Sequence, residues 1–226
     1  DPLIALTTAL STHRIFGPLA WSLVILIPTF FLGRFFCGWI CPFGSLHHFI
    51  SRLLYRGPVE EQIKANRYRK IYQIKYLILT VMIVLAIGNW GNWASLQIGW
   101  LDPFCLFARS INTAILPAVD AVFGGIYSQQ PLYQGAWLIG IVFLALVGLN
   151  MVIPRFFCRV LCPLGAMLGV CSRFSLWRVE HRHKCSAASL CQRRCPGGCR
   201  PHGKLLVSEC MVCFNCLDDC PEHALT

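Results

Sequence analysis

Charged side chains are scarce in this sequence. Lysine, arginine, aspartate and glutamate make up 13% of its 226 residues, whereas soluble domains carry about 25% charged residues. The mean hydropathy is positive as well. This deficit of charge disfavours a soluble globular domain and predicts a membrane protein.

Acidic residues are the scarcer class, with 10 Asp and Glu against 20 Lys and Arg and a net charge of +10. Such a charge can indicate a nucleic-acid partner, but the basic residues here flank apolar stretches, so we predict no nucleic-acid binding. The sequence begins at Asp1 without an initiator methionine, and we identify no signal peptide among the residues given. We therefore expect a further segment upstream of it.

Long apolar stretches are present. A bilayer is crossed by about 20 predominantly apolar helical residues, and three stretches approach that length: 15–36, 71–88 and 135–153. The stretch 110–127 is apolar too, but Pro117, Asp120 and a pair of glycines interrupt it. We interpret it as an interfacial or re-entrant helix, with a fourth span as the alternative.

Basic residues predict the orientation of these spans. Six lie between the first two spans, whereas Arg109 is the only one between the second and the third. Several more follow the third span, beginning with Arg155 and Arg159. Because cytoplasmic loops are enriched in Lys and Arg, the loop 37–70 and the C-terminal residues should share the cytoplasmic side.

An internal repeat relates two parts of the chain. The segment 33–44 (GRFFCGWICPFG) aligns with 154–165 (PRFFCRVLCPLG), and Asp1-Pro2 is echoed by Asp102-Pro103. We predict an α-helical integral membrane bundle of parallel repeats, related by an axis along the membrane normal. The chain then divides into a first membrane repeat (1–57), a basic loop with the second span (58–101), a second membrane repeat (102–178) and a cysteine-rich tail (179–226).

The tail contains eight of the 14 cysteines. Its second half, Cys210-x2-Cys213-x2-Cys216-x3-Cys220-Pro221, has the spacing of a bacterial ferredoxin run. Its first half supplies the four further thiolates that two [4Fe–4S] clusters require, namely Cys185, Cys191, Cys195 and Cys199. A reducing cytoplasm disfavours disulfides, and the spacing disfavours zinc sites. We therefore predict a ferredoxin-like domain that holds two [4Fe–4S] clusters.

The division of these ligands between the two clusters follows from the two Cys-Pro pairs. Cys195-Pro196 mirrors Cys220-Pro221, which in ferredoxins marks the cysteine that crosses to the other cluster. The predicted sets are Cys195, Cys210, Cys213 and Cys216 for one cluster, and Cys185, Cys191, Cys199 and Cys220 for the other. Because the first half is irregularly spaced, an exchange of Cys195 and Cys199 is the alternative.

Four further cysteines form what we call the paired cysteine motifs, Cys37 with Cys41 and Cys158 with Cys162. A spacing of four places both sulfurs of a pair on one helix face, so facing repeats would bring four thiols together. They could then hold an iron–sulfur centre or another metal, or cycle between dithiol and disulfide. Close helix packing is the alternative, and it is the expected role of Cys105 and Cys171.

The cysteine motifs of this sequence resemble those of a known family. The two paired cysteine motifs at the ends of spans, followed by the tail, are similar to NapH/NosR-type membrane polyferredoxins and to the related copper-handling CcoG-type proteins. The resemblance covers nearly the whole sequence. It implies a multi-pass protein of the bacterial inner membrane, with a cytoplasmic tail and redox partners such as a reductase, a cytochrome or a ferredoxin. The flavin domain of NosR-type members is absent from these residues, so no flavin is predicted.

The resemblance implies electron transfer between the quinone pool and a partner enzyme, as a quinol dehydrogenase. Copper reduction or metalloenzyme assembly by the membrane cysteines is the alternative, and a scaffold with structural clusters is a third hypothesis. Histidines can accept protons from a quinol, and ionisable groups beside spans are candidates for function. The candidates for a quinone site are His13, His47, His48, Asp102 and Arg109, although anchoring at the membrane interface would explain them too.

Overall fold

The computed structural model describes residues 1–13, 17–54, 57–88, 100–124, 136–180, 190–201 and 204–220. Within these ranges the chain is mostly helical, as predicted, and no β-strand occurs. The α-helices are α1 (Pro2–Thr12), α2 (Gly17–Leu32), α3 (Phe35–Trp39), α4 (Pro42–Leu54), α5 (Val59–Ala65), α6 (Ile74–Ile87), α7 (Pro103–Ser110), α8 (Leu116–Phe123), α9 (Ala136–Gly148), α10 (Pro163–Cys171), α11 (Leu190–Arg193) and α12 (Asn215–Asp218). The ferredoxin-like fold of the tail stays a prediction.

Short 3-10 and π-helical segments join or extend these helices. The 3-10 segments are Lys70–Gln73, Leu149–Met151, Ser172–Phe174 and Val207–Glu209, and the π-helical segments are Ile111–Ile115 and Phe157–Leu161. The stretch predicted as an interfacial or re-entrant helix is helical from α7 through the first π-helical segment to the end of α8. Gly124 follows the end of α8, and its positive φ of 64° suits a residue without a side chain.

Two helices begin at the Asp-Pro pairs that the repeat relates. The carboxylate of Asp1 accepts a hydrogen bond from the backbone N–H of Leu3 at 2.8 Å. That of Asp102 accepts from the N–H groups of Phe104 and Cys105 at 2.9 and 3.0 Å. In each case proline fills the first helical position, where its missing N–H costs no hydrogen bond. Both Asp-Pro pairs therefore act as helix N-caps.

The three predicted spans correspond to α2, α6 and α9. The first is shorter than predicted, because Gly33 adopts a left-handed φ of 73° and ends the helix, and α3 begins anew at Phe35. By length and composition, one stretch of the described chain could cross a bilayer, Val59–Ile87 with 29 residues, in which residues 66–69 separate α5 from the 3-10 segment before α6. Leu19–Leu32 and Trp137–Met151 are shorter apolar helices. The multi-pass topology therefore stays a prediction.

Large apolar side chains are exposed along all three of these helices. They include Trp21 and Val24 on α2, Leu77 and Val84 on α6, and Trp137 and Leu144 on α9. Such surfaces are unfavourable in water and are typical of protein that contacts lipid or another apolar partner. The exposure is thus consistent with helices that lie in a membrane.

The largest buried cluster lies at the centre of the helices. It joins the four cysteines of the paired motifs to aromatic side chains such as Phe43 and Phe157, and it includes Met211 from the tail. Helices α6 and α10 pack against each other, and α1 packs against α2 and α6. The tail therefore contributes to the core of the helical bundle.

Candidate iron–sulfur centre

The paired cysteine motifs adopt the same local geometry. The backbone N–H groups of Cys41 and Cys162 donate to the carbonyl oxygens five residues earlier, at 3.0 and 2.9 Å. Each of the two sulfurs then accepts a hydrogen bond from a backbone N–H three residues later, that of Gly44 at 3.4 Å and that of Gly165 at 3.2 Å. The second cysteine of each pair thus caps the helix that its following proline begins.

All four cysteines of the paired motifs are buried in the central cluster. Among the described residues, however, no group of three or more His, Cys, Asp or Glu side chains has an arrangement that would hold a metal ion. A metal or redox role for Cys37, Cys41, Cys158 and Cys162 therefore stays a prediction.

The arginine that precedes each motif is buried and directed at the tail. Arg34 is fully buried, and its guanidinium donates to the carbonyl oxygen of Ser208 at 2.7 Å. Arg155 is 2% exposed, and its guanidinium contacts the sulfur of Met211. Neither side chain reaches the surface, so neither serves as an exposed headgroup anchor. Both instead join the bundle to the cysteine run that begins at Cys210.

A buried ionic network surrounds Glu209, the residue before Cys210. Its carboxylate forms ion pairs with Arg34, at 3.4 Å, and with Lys75. It also accepts a hydrogen bond from the hydroxyl of Tyr76 at 3.0 Å. Lys75 is fully buried within α6, and Glu209 provides its counter-charge. The sequence carries no local signal for this pairing, since the partners lie 134 residues apart.

The first paired motif holds the loop between Cys210 and Cys213. Gly38 lies so close to this loop that a Cβ atom there would be 2.8 Å from the carbonyl oxygen of Met211. The indole N–H of Trp39 donates to the carbonyl oxygen of Val212 at 3.1 Å. The loop that carries two predicted cluster ligands is therefore packed directly against the bundle.

The second paired motif holds the other half of the tail through Arg159, which aligns with Gly38. Arg159 is 1% exposed and donates to the carbonyl oxygens of Pro196 at 2.9 Å and Cys195 at 3.1 Å. It also donates to the side chain of Asn66 at 2.8 Å, to the hydroxyl of Tyr72 and to the carbonyl oxygen of Ala65. Equivalent positions of the two paired cysteine motifs thus contact different halves of the tail, whereas the internal repeat of the whole bundle stays a prediction.

The tail cysteines fall into two packing groups. Cys195, Cys199 and Cys210 form one, and Cys191, Cys216 and Cys220 form the other. Cys195 lies with Cys210 and Cys191 with Cys220, whereas Cys199 and Cys216 each pack with cysteines of the other predicted set. Packing groups do not test ligation, so the predicted ligand sets stay predictions. Cys199 lies beside Cys195 because the chain turns between them. In this turn the N–H of Gly198 donates to the carbonyl oxygen of Cys195 at 3.3 Å, and the sulfurs of Cys195 and Cys199 lie 3.3 Å apart. Cys185 lies outside the described residues.

The environment of Cys195 favours the thiolate, the form that binds metal. Its pKa is lowered to about 6, chiefly because of the hydrogen bond between its sulfur and that of Cys199. The backbone N–H of Cys199 and the guanidinium of Arg159 act in the same direction, and burial opposes them. A preformed anionic sulfur at this position fits a ligand of an iron–sulfur cluster.

The two histidines after the first motif differ in environment. His47 is fully buried, and its Nδ1 lies 2.8 Å from the side-chain oxygen of Asn150. His48 is half-buried and lines a cavity of about 570 Å³ beside the tail. Burial, reinforced by Arg155 and Arg52, lowers the pKa of His48 to about 4. His48 is therefore neutral near pH 7 and is a weak base for a quinol proton.

The other quinone-site candidates have structural roles in the described chain. His13 is exposed at the C-terminus of α1, Asp102 is the buried N-cap of α7, and the guanidinium of Arg109 lies 5.2 Å from the ring centre of Trp100. No hydrogen bond between described residues links these three to His47 or His48. Cys105 and Cys171 are both half-buried on helices. The predicted part of His13, Asp102 and Arg109 in a quinone site, and that of Cys105 and Cys171 in helix packing, stay predictions.

Comparison with known proteins gives matches over most of the chain. A family model described as a 4Fe-4S binding domain matches residues 14–58 and 135–182, and each segment includes one paired cysteine motif. An uncharacterized protein of Methanocaldococcus jannaschii is 27% identical over 94% of this chain and 72% of its own length. The ferredoxin-type protein NapH of Escherichia coli is 26% identical over 100% of this chain and 73% of its own.

A third relative is much longer than this chain. The regulatory protein NosR of Pseudomonas aeruginosa is 27% identical over 92% of this chain but only 29% of its own length. No solved structure matches. The similarity therefore extends through both paired cysteine motifs and into the tail.

Proposed function

Since this chain is a relative of the NapH/NosR-type polyferredoxin proteins, we propose that it is a membrane electron-transfer subunit of the bacterial inner membrane. It passes electrons between the quinone pool and a partner redox enzyme, as a quinol dehydrogenase. The observation that carries the proposal is the contact of the tail with the apolar bundle. Buried side chains from both paired motifs, above all Arg159 and Arg34, hold the backbone on either side of the predicted cluster ligands.

The tail supplies the ligands for two [4Fe–4S] clusters. The residues that would hold them are Cys185, Cys191, Cys195, Cys199, Cys210, Cys213, Cys216 and Cys220. Bound clusters supply one-electron redox chemistry, with potentials set by nearby charge, hydrogen bonds and exposure. The burial of most of these cysteines and the thiolate character of Cys195 support the assignment.

The proposed role follows from the number of electrons that each partner transfers, two for a quinol and one for an iron–sulfur cluster. A quinol releases two electrons and two protons, so its oxidation needs carriers that accept single electrons in turn. The chain would hold the carriers at fixed positions, because Met211 is inserted in the bundle core and Trp39 binds the adjacent backbone. A fixed tail keeps the distance between lipid and cluster constant, unlike a tail on a flexible linker.

The decisive experiment is reduction by a quinol analogue of the full chain, prepared anaerobically in membranes. We expect about eight iron atoms per chain and an electron paramagnetic resonance signal of reduced clusters after quinol is added. Cys210→Ser should lose about half of the iron and the signal of one of the two clusters, whereas the matched variant Cys105→Ser, outside the tail, should retain both clusters. Clusters that stay oxidised with quinol, but are reduced by a soluble donor, would exclude quinol oxidation by this chain.

A second candidate function is copper reduction or metalloenzyme assembly. The observation in its favour is that four thiols and the thioether of Met211 share one buried cluster, since soft sulfur ligands select Cu(I). The double variant Cys41→Ser, Cys162→Ser separates the two functions. If copper handling is the function, the variant loses bound copper, and quinol has no effect on the wild-type clusters. If electron transfer is the function, the clusters of the wild type respond to quinol whether copper is present or not.

A further inference from the structure

A basic cavity lies at the junction between the bundle and the tail. Its volume is about 570 Å³, and it opens between α4, the segment after α9 and the two halves of the tail. Four arginines line it: Arg52 from α4, Arg155 from the second paired motif, and Arg193 and Arg194 from the tail. Asn66 and Asn215 add amide groups. The proposed function gives this cavity no role.

Positive charge in this cavity is only partly compensated. The described residues that line it include no aspartate or glutamate. Asp219 is not among the lining residues, and its carboxylate lies 3.4 Å from Arg193 and 3.7 Å from Arg194. Two guanidinium groups therefore share one carboxylate. Arg52 and Arg155 have no ion pair within the part of the chain that the structure describes. The cavity therefore carries a surplus of cationic groups.

Arg155 gives a second, independent indication of a missing ligand. It is 2% exposed, yet its Nε has no hydrogen-bond partner among the described residues. An unsatisfied buried donor on a charged group is unfavourable, and an anion held close to this guanidinium would reduce that cost electrostatically. A guanidinium presents its N–H groups in a planar fork that matches the oxygens of a phosphate. A quinone, which is uncharged, would leave the surplus charge uncompensated.

The surface beside the cavity is apolar. Phe49 and Leu53, three residues before Arg52 and one after it on α4, are 68% and 52% exposed, and Trp39 and Ile40 before α4 are exposed too. We propose that the cavity is a binding site for a phosphate-bearing anion, with the headgroup of an acidic phospholipid as a source whose acyl chains would lie along this apolar surface. Free phosphate has the same chemistry and is the other source. The proposal depends on the proposed function only for the membrane location.

The test is binding of acidic phospholipid to the purified, iron-loaded full chain. Native mass spectrometry would count bound phosphatidylglycerol after exchange from mixed phosphatidylglycerol and phosphatidylcholine. The double variant Arg52→Gln, Arg194→Gln removes two exposed arginines of the cavity. We expect its affinity for phosphatidylglycerol to fall by about tenfold or more, given the contribution of each basic residue at an anionic surface. The matched variant Arg67→Gln, Arg173→Gln loses the same charge elsewhere and should change affinity less than about twofold.

Added inorganic phosphate distinguishes the two sources. If millimolar phosphate displaces the lipid from the wild type, a free phosphate can occupy the site. If the lipid stays bound, the site needs the lipid headgroup with its acyl chains, and both results support a phosphate-bearing ligand. Equal lipid affinity in the two double variants, or equal binding of phosphatidylcholine and phosphatidylglycerol, overturns the proposal. Iron content in each variant reports whether the tail is intact, and the outcome does not depend on quinol oxidation.

Discussion

Glu209→Gln is expected to lower the free energy of unfolding by about 3–5 kcal/mol, the range for removing one partner of a buried ion pair. Glu209 is the carboxylate between Arg34 and Lys75, both of them fully buried. Glutamine keeps the shape of the side chain but leaves two cations close together without a counter-charge. Denaturant unfolding of the iron-loaded chain, followed by loss of cluster absorbance, measures the change.

An exposed ion pair gives the control for this prediction. Glu180 lies 2.9 Å from Arg178, and both side chains are about half exposed or more, at 62% and 49%. Glu180→Gln should therefore change the free energy of unfolding by less than about 1 kcal/mol. Adding Lys75→Met to Glu209→Gln should recover part of the loss, because one of the two unpaired cations is removed. If Glu209→Gln and Glu180→Gln are equally stable, the network does not stabilise the tail.

Arg159→Met is expected to have the second-largest effect, a loss of roughly 3 kcal/mol or more from several buried acceptors left without donors. The guanidinium binds the carbonyl oxygens of Cys195 and Pro196 and the side chain of Asn66. Methionine is similar in length but donates no hydrogen bond. The half of the tail around Cys195 should then detach more readily and lose iron sooner under chelation.

The rate of iron loss to a chelator distinguishes a specific role of Arg159 from a general effect of charge. Arg159→Lys keeps the charge but cannot reproduce the planar fork, so it should resemble Arg159→Met more than the wild type. Arg173→Met removes an exposed arginine and should lose iron at the wild-type rate. Wild-type behaviour of Arg159→Lys would show that charge alone is sufficient, contrary to the hydrogen-bond argument.

The sequence predicted those features of the fold that depend on interactions between residues close together in the chain. The Asp-Pro pairs cap helices because an aspartate side chain reaches its own helix N-terminus, and α2, α6 and α9 follow from their apolar composition. The end of the first span was wrong, since the left-handed conformation of Gly33 cannot be read from hydropathy. The resemblance to NapH/NosR-type proteins, carried by the spacing of the cysteines, is confirmed by the relatives.

Contacts between distant residues were not predictable from one sequence. Lys75 pairs with Glu209, and Arg159 binds the carbonyl oxygen of Pro196, although the spacing of the cysteine motifs identifies neither partner. Periodicity indicates which face of a helix is apolar, but it does not indicate which distant segment covers that face. For the same reason, the packing of Cys199 beside Cys195 depends on the turn at Gly198, which the cysteine spacing does not indicate.

The segments that contact the tail, including the motif positions Gly38 and Arg159, all precede it in the sequence, and this order bears on biosynthesis. The surfaces that receive the tail come from the first motif, the second motif and α6, and all of them precede the tail in the chain. A ribosome therefore completes every part of the receiving surface before the last cysteines emerge. Since the predicted cluster ligands come from both halves of the tail, we expect iron to be inserted after translation has finished, on a helical bundle that is already folded.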